Sequence, residues 1–253
     1  MLLQDQICLI TGAASERGIG RACAHLFVEN GATVVLLDVD GEAVARTAQT
    51  LGPTHLGFEL DVRKQTACRE VIAEVLTLVP RIDCLVNNAG IAPIADIETT
   101  TTDMWRKTLA IHLDGTYFGC QAAIKLMKES GGGSIVNMSS TAALVGIPDY
   151  LAYSAAKGGI RAMTKAIAVH CRRAKLRIRC NSVHPGSINT PMVQNAVKQL
   201  MDIDLDDNAE KKRKAMGIGE PRDVAYMVAY LLSDESKHVN GTEMVIDNAD
   251  TVV

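Results

Sequence analysis

The sequence lacks an apolar run of the ~20 residues that a membrane-spanning helix needs, and its first residues, MLLQDQICLITG, lack the basic-then-apolar order of a signal peptide. Its seven cysteines are scattered, form no CxxC pair and are odd in number, which argues against a disulfide framework. Its six histidines show no metal-ligand spacing with one another or with the cysteines. We therefore expect no membrane span, no metal site and a reducing, cytoplasmic setting.

A broad basic surface is also missing. The formal net charge is −3, so the chain has no field that would recruit nucleic acid or an anionic membrane. Two basic runs, RRAKLRIR (172–179) and KKRK (211–214), are short and flanked by acidic or apolar residues. We interpret both as solvated charge at helix or strand ends, in preference to an anion site. With 47% hydrophobic residues, the chain of 253 residues can bury a sizeable core.

No Pro/Gly/Ser-rich linker and no internal repeat interrupts the chain, in which short apolar runs alternate with helical patterns. Continuous apolar strands separated by helices predict a parallel sheet with helices on both faces. We therefore predict one α/β domain over 1–253, a doubly wound, Rossmann-like fold whose ligands bind beyond the carboxyl ends of the strands. The predicted strands are 7–11, 33–38, 55–62, 83–88, 134–138, 178–186 and 242–247, and the main helices are 18–30, 41–51, 64–79, 103–129, 150–174 and 221–233.

A glycine-rich loop links the first strand to the first helix. Gly12, Gly18 and Gly20 would let the backbone approach a diphosphate, next to the positive end of the helix. Asp38 ends the second strand, where a carboxylate can bond both ribose hydroxyls of NAD and repel a 2′-phosphate. Arg17 could contact such a phosphate, but no Lys or Arg follows Asp38 in DVDGEA. The sequence therefore favours NAD over NADP.

The next two strands end in further polar groups. Asp61 could accept a hydrogen bond from the adenine amine, with Val62 beside the ring. The NNAG run (87–90) follows the fourth strand, and its Asn88, Ala89 and Gly90 could tie loops together and let the backbone pass the cofactor. Either segment could be ordinary loop chemistry, but both lie at successive strand ends on one edge of the sheet.

The stretch PDYLAYSAAKGG contains a candidate acid–base pair. Tyr153 and Lys157 are one helical turn apart on the same face, whereas Tyr150 lies seven residues, or roughly 10 Å, from the lysine. A free phenol has a pKa of ~10, and a neighbouring ammonium favours the phenolate and lowers that pKa. Ser140, at the end of the strand that precedes this helix, could donate a hydrogen bond to a substrate oxygen.

In their order and spacing, the motifs TG…GIG, NNAG, MSS, YSAAK and HPGSINT resemble the classical short-chain dehydrogenase/reductase family over essentially the full length. Within it, the chain is most similar to bacterial 3β/17β-hydroxysteroid dehydrogenases. The resemblance implies that Tyr153 transfers the proton while hydride moves between a secondary alcohol and a nicotinamide, that Ser140 holds the substrate oxygen, and that Lys157 also bonds the nicotinamide ribose. It further implies cofactor contacts from the glycine loop, which includes Ile19, and a nicotinamide pocket formed by Pro185, Gly186, the Ile188 backbone and the Thr190 hydroxyl.

Three positions depart from the family pattern. His112, in IHLDG, stands where the family usually has an asparagine that helps hold a proton-relaying water; the histidine could relay protons itself or be a packed helix residue. Five residues separate Gly12 from Gly18, where the family usually has three. The chain ends in VIDNAD, where the family usually has VDGG.

Residues 187–220 correspond to the segment that covers the substrate in this family. Two groups of apolar side chains suggest a hydrophobic, steroid-like or cyclic substrate. The first lies in this segment and consists of Met192, Val193, Val197, Leu200 and Met201, although core packing explains this group at least as well. The second lies before Tyr153 and consists of Leu144, Val145 and Ile147. The family also implies a homotetramer. Two alternatives are a 3-oxoacyl thioester reductase, which should prefer NADPH, and a non-enzymatic nucleotide-sensing protein.

Overall fold

The computed structural model describes residues 1–205 and 209–252, which form an α/β fold around a seven-stranded parallel sheet of order β3-β2-β1-β4-β5-β6-β7. The strands are Ile7–Thr11 (β1), Thr33–Asp38 (β2), Leu56–Glu59 (β3), Cys84–Asn87 (β4), Gly133–Met138 (β5), Ile178–Pro185 (β6) and Glu243–Ile246 (β7). The helices are Ile19–Glu29 (α1), Gly41–Leu51 (α2), Gln65–Leu78 (α3), Thr102–Leu109 (α4), Gly115–Glu129 (α5), Leu151–Arg173 (α6), Pro191–Met201 (α7), Glu210–Ala215 (α8) and Pro221–Leu232 (α9).

The doubly wound architecture predicted from the sequence is confirmed. Its physical basis is visible in β1, where Cys8 and Ile10 enter the core beneath α1 and α9, while Ile7 and Leu9 enter the core beneath α3 and α5. Successive side chains of a strand point to opposite faces, so a strand covered on both faces must be apolar throughout. This is why continuous apolar runs, and not alternating ones, marked the strands.

Three elements differ from the prediction. β3 is shorter than 55–62 because it is the edge strand, and its residues are at most partly buried. The helix predicted over 103–129 is divided by a π-helical turn at Ala110–Asp114, which contains His112. The helix α8, which carries the whole KKRK run, was not predicted as a separate element.

A buried polar pair joins the two central strands. The Asn87 amide donates to the Asn137 amide oxygen at 2.8 Å, and the Asn137 amide donates to the Thr164 hydroxyl of α6 at 3.0 Å. A side chain at Gly119 would overlap the Asn87 amide oxygen, so only glycine fits on α5 at that point. Because buried polar groups are costly unless they are paired, these bonds fix where α5 and α6 sit on the sheet.

The unusual end of the chain forms a turn with left-handed backbone. Asn248 and Ala249 have φ values of 54° and 69°, and the Asp247 carboxylate accepts hydrogen bonds from the backbone N–H groups of Ala249 and Thr251 at 3.1 and 2.9 Å. These two positions correspond to the usual glycine pair of the family. Asparagine tolerates this conformation, but alanine is strained there by about 1–2 kcal/mol.

We predict that Ala249→Gly stabilises the protein. Relief of the strain at Ala249, less the extra backbone entropy of glycine, should raise the free energy of unfolding by about 0.5–1 kcal/mol. The measurement is urea unfolding, with Ala73→Gly on the exposed face of α3 as control, where the same substitution should cost about 1 kcal/mol. A loss of stability at Ala249 equal to the loss at Ala73 would contradict the strained turn.

Candidate active site

A cavity of about 540 Å³ lies where β1, β4, β5 and β6 end. It is lined by most of the predicted site residues: Gly12, Gly18, Ile19, Asp38, Asp61, Val62, Asn88, Ala89, Gly90, His112, Ser140, Tyr153, Lys157, Pro185, Gly186, Ile188 and Thr190. Two predicted residues are not among its lining residues. Arg17 is exposed on the glycine loop, and Gly20 is buried, where a side chain would overlap the Gly12 carbonyl. Gly20 therefore permits close packing of α1 against the end of β1, and its contact with a cofactor stays a prediction.

The lengthened glycine loop folds its extra residues into a turn of their own. The Gly18 N–H donates to the Ser15 carbonyl at 3.0 Å, and Ser15 itself lines the cavity. Gly12 has a φ of 70°, and a side chain there would overlap the backbone of Ala89. Helix α1 still begins at the cavity. Its N-cap residue is Gly18, which has no side chain to cap the first N–H groups of the helix. The helix end is therefore suited to an anionic group such as a diphosphate.

Two carboxylates line the far end of the cavity. Asp38 accepts hydrogen bonds from the backbone N–H groups of Ala14 and Asp40 at 3.0 and 3.2 Å, which orients it at the end of β2. Asp61 is held by Arg63, whose Nε and Nη2 donate to its two oxygens at 2.8 and 2.7 Å. Arg63 also lowers the pKa of Asp61. Arg63 thus shares the Asp61 oxygens on which the predicted adenine contact depends.

Lys157 organises the end of the cavity that contains Ser140 and Tyr153. Its Nζ donates to the Met138 carbonyl at 2.6 Å, and its own carbonyl accepts from the Ser139 hydroxyl at 3.0 Å. These two bonds attach α6 to the end of β5. They place Tyr153, in the first turn of α6, beside Ser140, the second residue after β5, and leave Nζ 5.3 Å from the centre of the Tyr153 ring. The other tyrosine, Tyr150, does not line the cavity in the described part of the chain.

The pKa of the phenol differs from the sequence-based expectation. Burial raises the pKa of Tyr153 to about 12, and a hydrogen bond with the Ser140 side chain opposes this rise. Burial also lowers the pKa of Lys157 to about 7, so the lysine is only partly charged near neutrality. The lowering of the Tyr153 pKa by Lys157, which the sequence led us to expect, is therefore absent from the protein by itself. The physical reason is that the cost of removing water from the phenolate exceeds its attraction to the Lys157 amine, which is only half charged, bonds Met138 and lies over the ring.

His112 is fully buried against the same tyrosine. Its ring meets the Tyr153 ring edge-on, with 5.2 Å between the ring centres. Its Nε2 lies 2.6 Å from the Ile91 carbonyl and 3.0 Å from the Ile91 backbone N–H. One nitrogen cannot donate to the first and accept from the second, and two acceptors only 2.6 Å apart would repel each other, so the closer contact assigns the proton to Nε2. Among the described residues, Nδ1 is buried and has no hydrogen-bond partner. Burial, and then the charge of Lys157, lower the pKa of His112 to about 3. The ring is therefore neutral and presents an unused acceptor.

Helix α7 borders the opposite wall. The Thr190 hydroxyl caps it by accepting from the Val193 N–H at 3.4 Å, and it also donates to the Ile188 carbonyl at 3.3 Å. Met192 and Val193 line the cavity, while Leu200 and Met201 are about half exposed. Core packing is therefore not the general explanation for this apolar face, since no side chain of α7 is fully buried.

Other predicted apolar residues lie elsewhere. Val197 packs against a small separate cluster that includes Leu205 and Ile218. Leu144, Val145 and Ile147 are not among the lining residues of this cavity in the described part of the chain, and Val145 is exposed. Within the predicted covering segment 187–220, positions 206–208 lie outside the described residues.

Several lining residues were missed by sequence reasoning: Ser15, Val39, Leu60, Arg63, Ile91, Lys107, Ile111, Met138, Ser139 and Pro191. Lys107 and Ile111 are four residues apart and share a helix face, so the position of His112 next to Ile111 could have indicated them. Arg63 carried no signal of its own, because a basic residue after a strand is ordinary.

The described part of the chain contains no group of three or more His, Cys, Asp or Glu side chains arranged to hold a metal ion. Nor, in that part, does any helix combine the length and apolar character needed to cross a membrane.

Comparison with known proteins assigns the family. A family model described as "Enoyl-(Acyl carrier protein) reductase" matches residues 12–248. An NADP-dependent (R)-specific alcohol dehydrogenase of Lentilactobacillus kefiri is 37% identical, with 98% of each chain covered. A 3-beta-hydroxysteroid dehydrogenase of Comamonas testosteroni is 35% identical over 98% of this chain and 96% of its own. A cyclopentanol dehydrogenase of the same organism is 36% identical over 98% of both chains. The crystal structure of levodione reductase superposes with a TM-score of 0.89 at 32% identity, covering 99% of each chain.

The buried lysine predicts a pH dependence of stability. The pKa of Lys157 is about 7 in the folded protein against an ordinary 10.5, so between these values the unfolded chain binds more protons than the folded one. The free energy of unfolding should then rise with pH, by up to about 1.4 kcal/mol per unit from this group.

The measurement is urea unfolding of the wild type and of Lys157→Met at pH 7 and pH 9. The other titrating groups cancel in the difference between the two proteins, so the wild type should gain stability relative to the variant as the pH rises. Parallel pH dependences would mean that Lys157 keeps its ordinary pKa.

Proposed function

The chain belongs to the short-chain dehydrogenase/reductase family, and we propose that it is an NAD(H)-dependent enzyme that interconverts a hydrophobic secondary alcohol and its ketone. The observation that carries the proposal is the convergence of Ser140, Tyr153 and Lys157 on the cavity whose other end holds the glycine loop and Asp38. A nucleotide-sensing protein would not need these three side chains together.

The residues present fit a nicotinamide dinucleotide. Asp38 would bond the adenosine ribose, the uncapped start of α1 would hold the diphosphate, and the Ile188 backbone and Thr190 hydroxyl would hold the carboxamide. Lys157 lines the same cavity and would bond the nicotinamide ribose, as the family resemblance implies. The bound nicotinamide would supply the hydride chemistry, and the protein supplies orientation and proton transfer.

Proton transfer is assigned to the Tyr153 hydroxyl. The Ser140 hydroxyl accepts from the Ala142 N–H at 3.2 Å, which orients it towards the substrate oxygen. With its pKa raised to about 12, the Tyr153 phenol is protonated at neutral pH and ready to donate to a ketone oxygen. In alcohol oxidation the acceptor must be the Tyr153 phenolate, so the phenol first loses its proton to solvent, and Lys157 would offset the negative charge of the phenolate until the alcohol proton is taken up.

We propose that His112 assists in proton transfer as a neutral acceptor. The buried, unpartnered Nδ1 and the pKa of about 3 argue against an imidazolium relay and for a hydrogen bond from a water that enters the cavity. His112→Ala should slow turnover without abolishing dinucleotide binding; unchanged turnover would leave the ring a packing role.

The substrate class is inferred from the cavity wall and the relatives. Ile91, Met192 and Val193 give the cavity apolar surface, and relatives named for cyclopentanol and for a 3-beta-hydroxysteroid match nearly the whole chain. We therefore favour cyclic or steroid-like alcohols. The second candidate, a 3-oxoacyl thioester reductase, gains one supporting observation, because Lys107 lines the cavity and could meet a phosphate.

We further propose a cytoplasmic homotetramer in which α6 and the α4–α5 segment pack across a dimer interface. Large side chains are exposed on all three helices: Trp105, Tyr117 and Val169 are 37%, 45% and 41% exposed. Elution as a stable monomer in gel filtration would contradict this arrangement.

The function is tested with Tyr153→Phe and the matched control Tyr150→Phe. Wild type and variants are assayed on steroids, cyclic alcohols and acyl thioesters with each nicotinamide cofactor, following cofactor absorbance. Removal of a general acid should lower kcat by about 100-fold or more for Tyr153→Phe, whereas Tyr150→Phe should stay near wild type. Equal activity of the two variants on the best alcohol would remove Tyr153 from the mechanism.

The choice of cofactor is tested with Asp38→Asn, which keeps the shape and an acceptor for the Ala14 N–H but removes the negative charge. The ratio of kcat/KM for NAD to that for NADP should fall by about tenfold or more, since tenfold corresponds to about 1.4 kcal/mol. A ratio equal to that of the wild type would defeat the assignment of Asp38 as the residue that selects NAD.

A further inference from the structure

A fully buried histidine outside the cavity, His184 in β6, contacts the residue that holds the substrate oxygen. Its Nδ1 lies 3.1 Å from the Ser140 carbonyl, and its Nε2 lies 2.9 Å from the Ser182 hydroxyl. A carbonyl oxygen can only accept, so Nδ1 carries the proton. In the neutral ring Nε2 then accepts, and the single Ser182 hydroxyl proton goes to Nε2 at 2.9 Å in preference to the Thr242 carbonyl at 3.3 Å. Both ring nitrogens are therefore satisfied, and the tautomer of the ring is fixed.

The position of His184 explains why a side chain is needed there. The backbone ladder between β5 and β6 ends where the Ser139 N–H donates to the Val183 carbonyl at 2.8 Å. Ser140 is the first residue beyond this last bond. Its carbonyl instead accepts two hydrogen bonds, from the Ala143 N–H at 3.0 Å and from the His184 ring at 3.1 Å. The histidine ring thus adds one further hydrogen bond between the two segments, made by a side chain where the backbone bonds have ended.

The neighbours of the ring favour its neutral form. Burial lowers the pKa of His184, and Arg161 and Lys157 lower it further, while the Ser140 carbonyl and Glu243 act in the opposite direction. The neutral ring with Nδ1 protonated can make the bond to Ser140, so this bond does not require the charged form.

We propose that His184 is a positioning residue that fixes the Ser140 peptide, so that the Ser140 hydroxyl stays aligned with Tyr153 and the substrate oxygen. Ser140 has no other tie to β6 among the hydrogen bonds of the described residues. Without the ring, the Ser140 carbonyl keeps only the bond within its own turn, and the turn can rotate as a unit. This inference rests on the proposed role of Ser140 in alcohol and ketone chemistry.

Two substitutions separate the hydrogen bond from the volume of the ring, because leucine keeps most of the volume and the smaller asparagine keeps a donor. His184→Leu removes the donor, and His184→Asn replaces it with an amide N–H close to the Nδ1 position. We expect His184→Leu to lower kcat by about 10- to 100-fold, as is usual when support of a functional group is lost, while dinucleotide affinity measured by calorimetry stays within about threefold. His184→Asn should recover most of the lost kcat. Equal losses in both variants would overturn the inference.

A double-mutant cycle with Ser140→Ala tests whether the effect passes through Ser140. If His184 acts only by placing that hydroxyl, adding His184→Leu to Ser140→Ala should lower kcat by less than about twofold more, because coupled residues are not additive. A further full loss in the double variant would show that His184 acts on the fold in general and would overturn the inference.

The cycle also separates this inference from the proposed function. If Ser140→Ala alone keeps wild-type kcat, the assigned role of Ser140 falls and this inference falls with it. If Ser140→Ala loses activity while His184→Leu keeps it, the proposed function stands and only the positioning role of His184 is wrong.

Discussion

The hydrogen bond from the buried amine of Lys157 to the Met138 carbonyl is the contact on which the site depends. A lysine with 3% of its surface exposed must be bonded and must give up part of its charge, and both occur here. Together with the bond from Ser139 to the Lys157 carbonyl, it attaches α6 to the end of β5. That junction brings Tyr153 beside Ser140.

Burial also decides the electrostatics of the site. The three titratable side chains around the substrate position, Tyr153, Lys157 and His112, are all shifted towards their neutral forms. The protein by itself therefore holds a protonated phenol, a half-charged amine and a neutral imidazole. Such a site contributes little charge of its own, so a charged partner that enters it meets weak screening and acts strongly on the phenol. The structure therefore aligns the three groups, and in the protein by itself Lys157 does not ionise the Tyr153 phenol.

The sequence predicted the fold well because β1, β2 and β4 are apolar over nearly their whole length, and Asp38, Asn88 and Ser140 stand at or just beyond strand ends. Helical spacing alone placed Tyr153 and Lys157 on one face, and the family resemblance added Ser140 to them. The sequence had limits as well. It could not predict the pKa of Tyr153, which depends on how much water reaches the ring. Nor could it show that Nε2 of His112 bonds the Ile91 carbonyl, that Arg63 occupies the Asp61 oxygens, or that His184 reaches Ser140, since each contact joins segments that are distant along the chain.

The central claim is that the lysine positions the phenol but does not by itself ionise it. The most direct measurement is a titration of the Tyr153 hydroxyl by NMR in protein labelled at the tyrosine ζ-carbon, with the signal assigned by its loss in Tyr153→Phe. With a pKa raised to about 12, the Tyr153 signal should remain that of a protonated phenol at pH 10, where an ordinary tyrosine is about half ionised. A phenolate signal from Tyr153 below about pH 9, which is under the ordinary tyrosine pKa, would contradict the account.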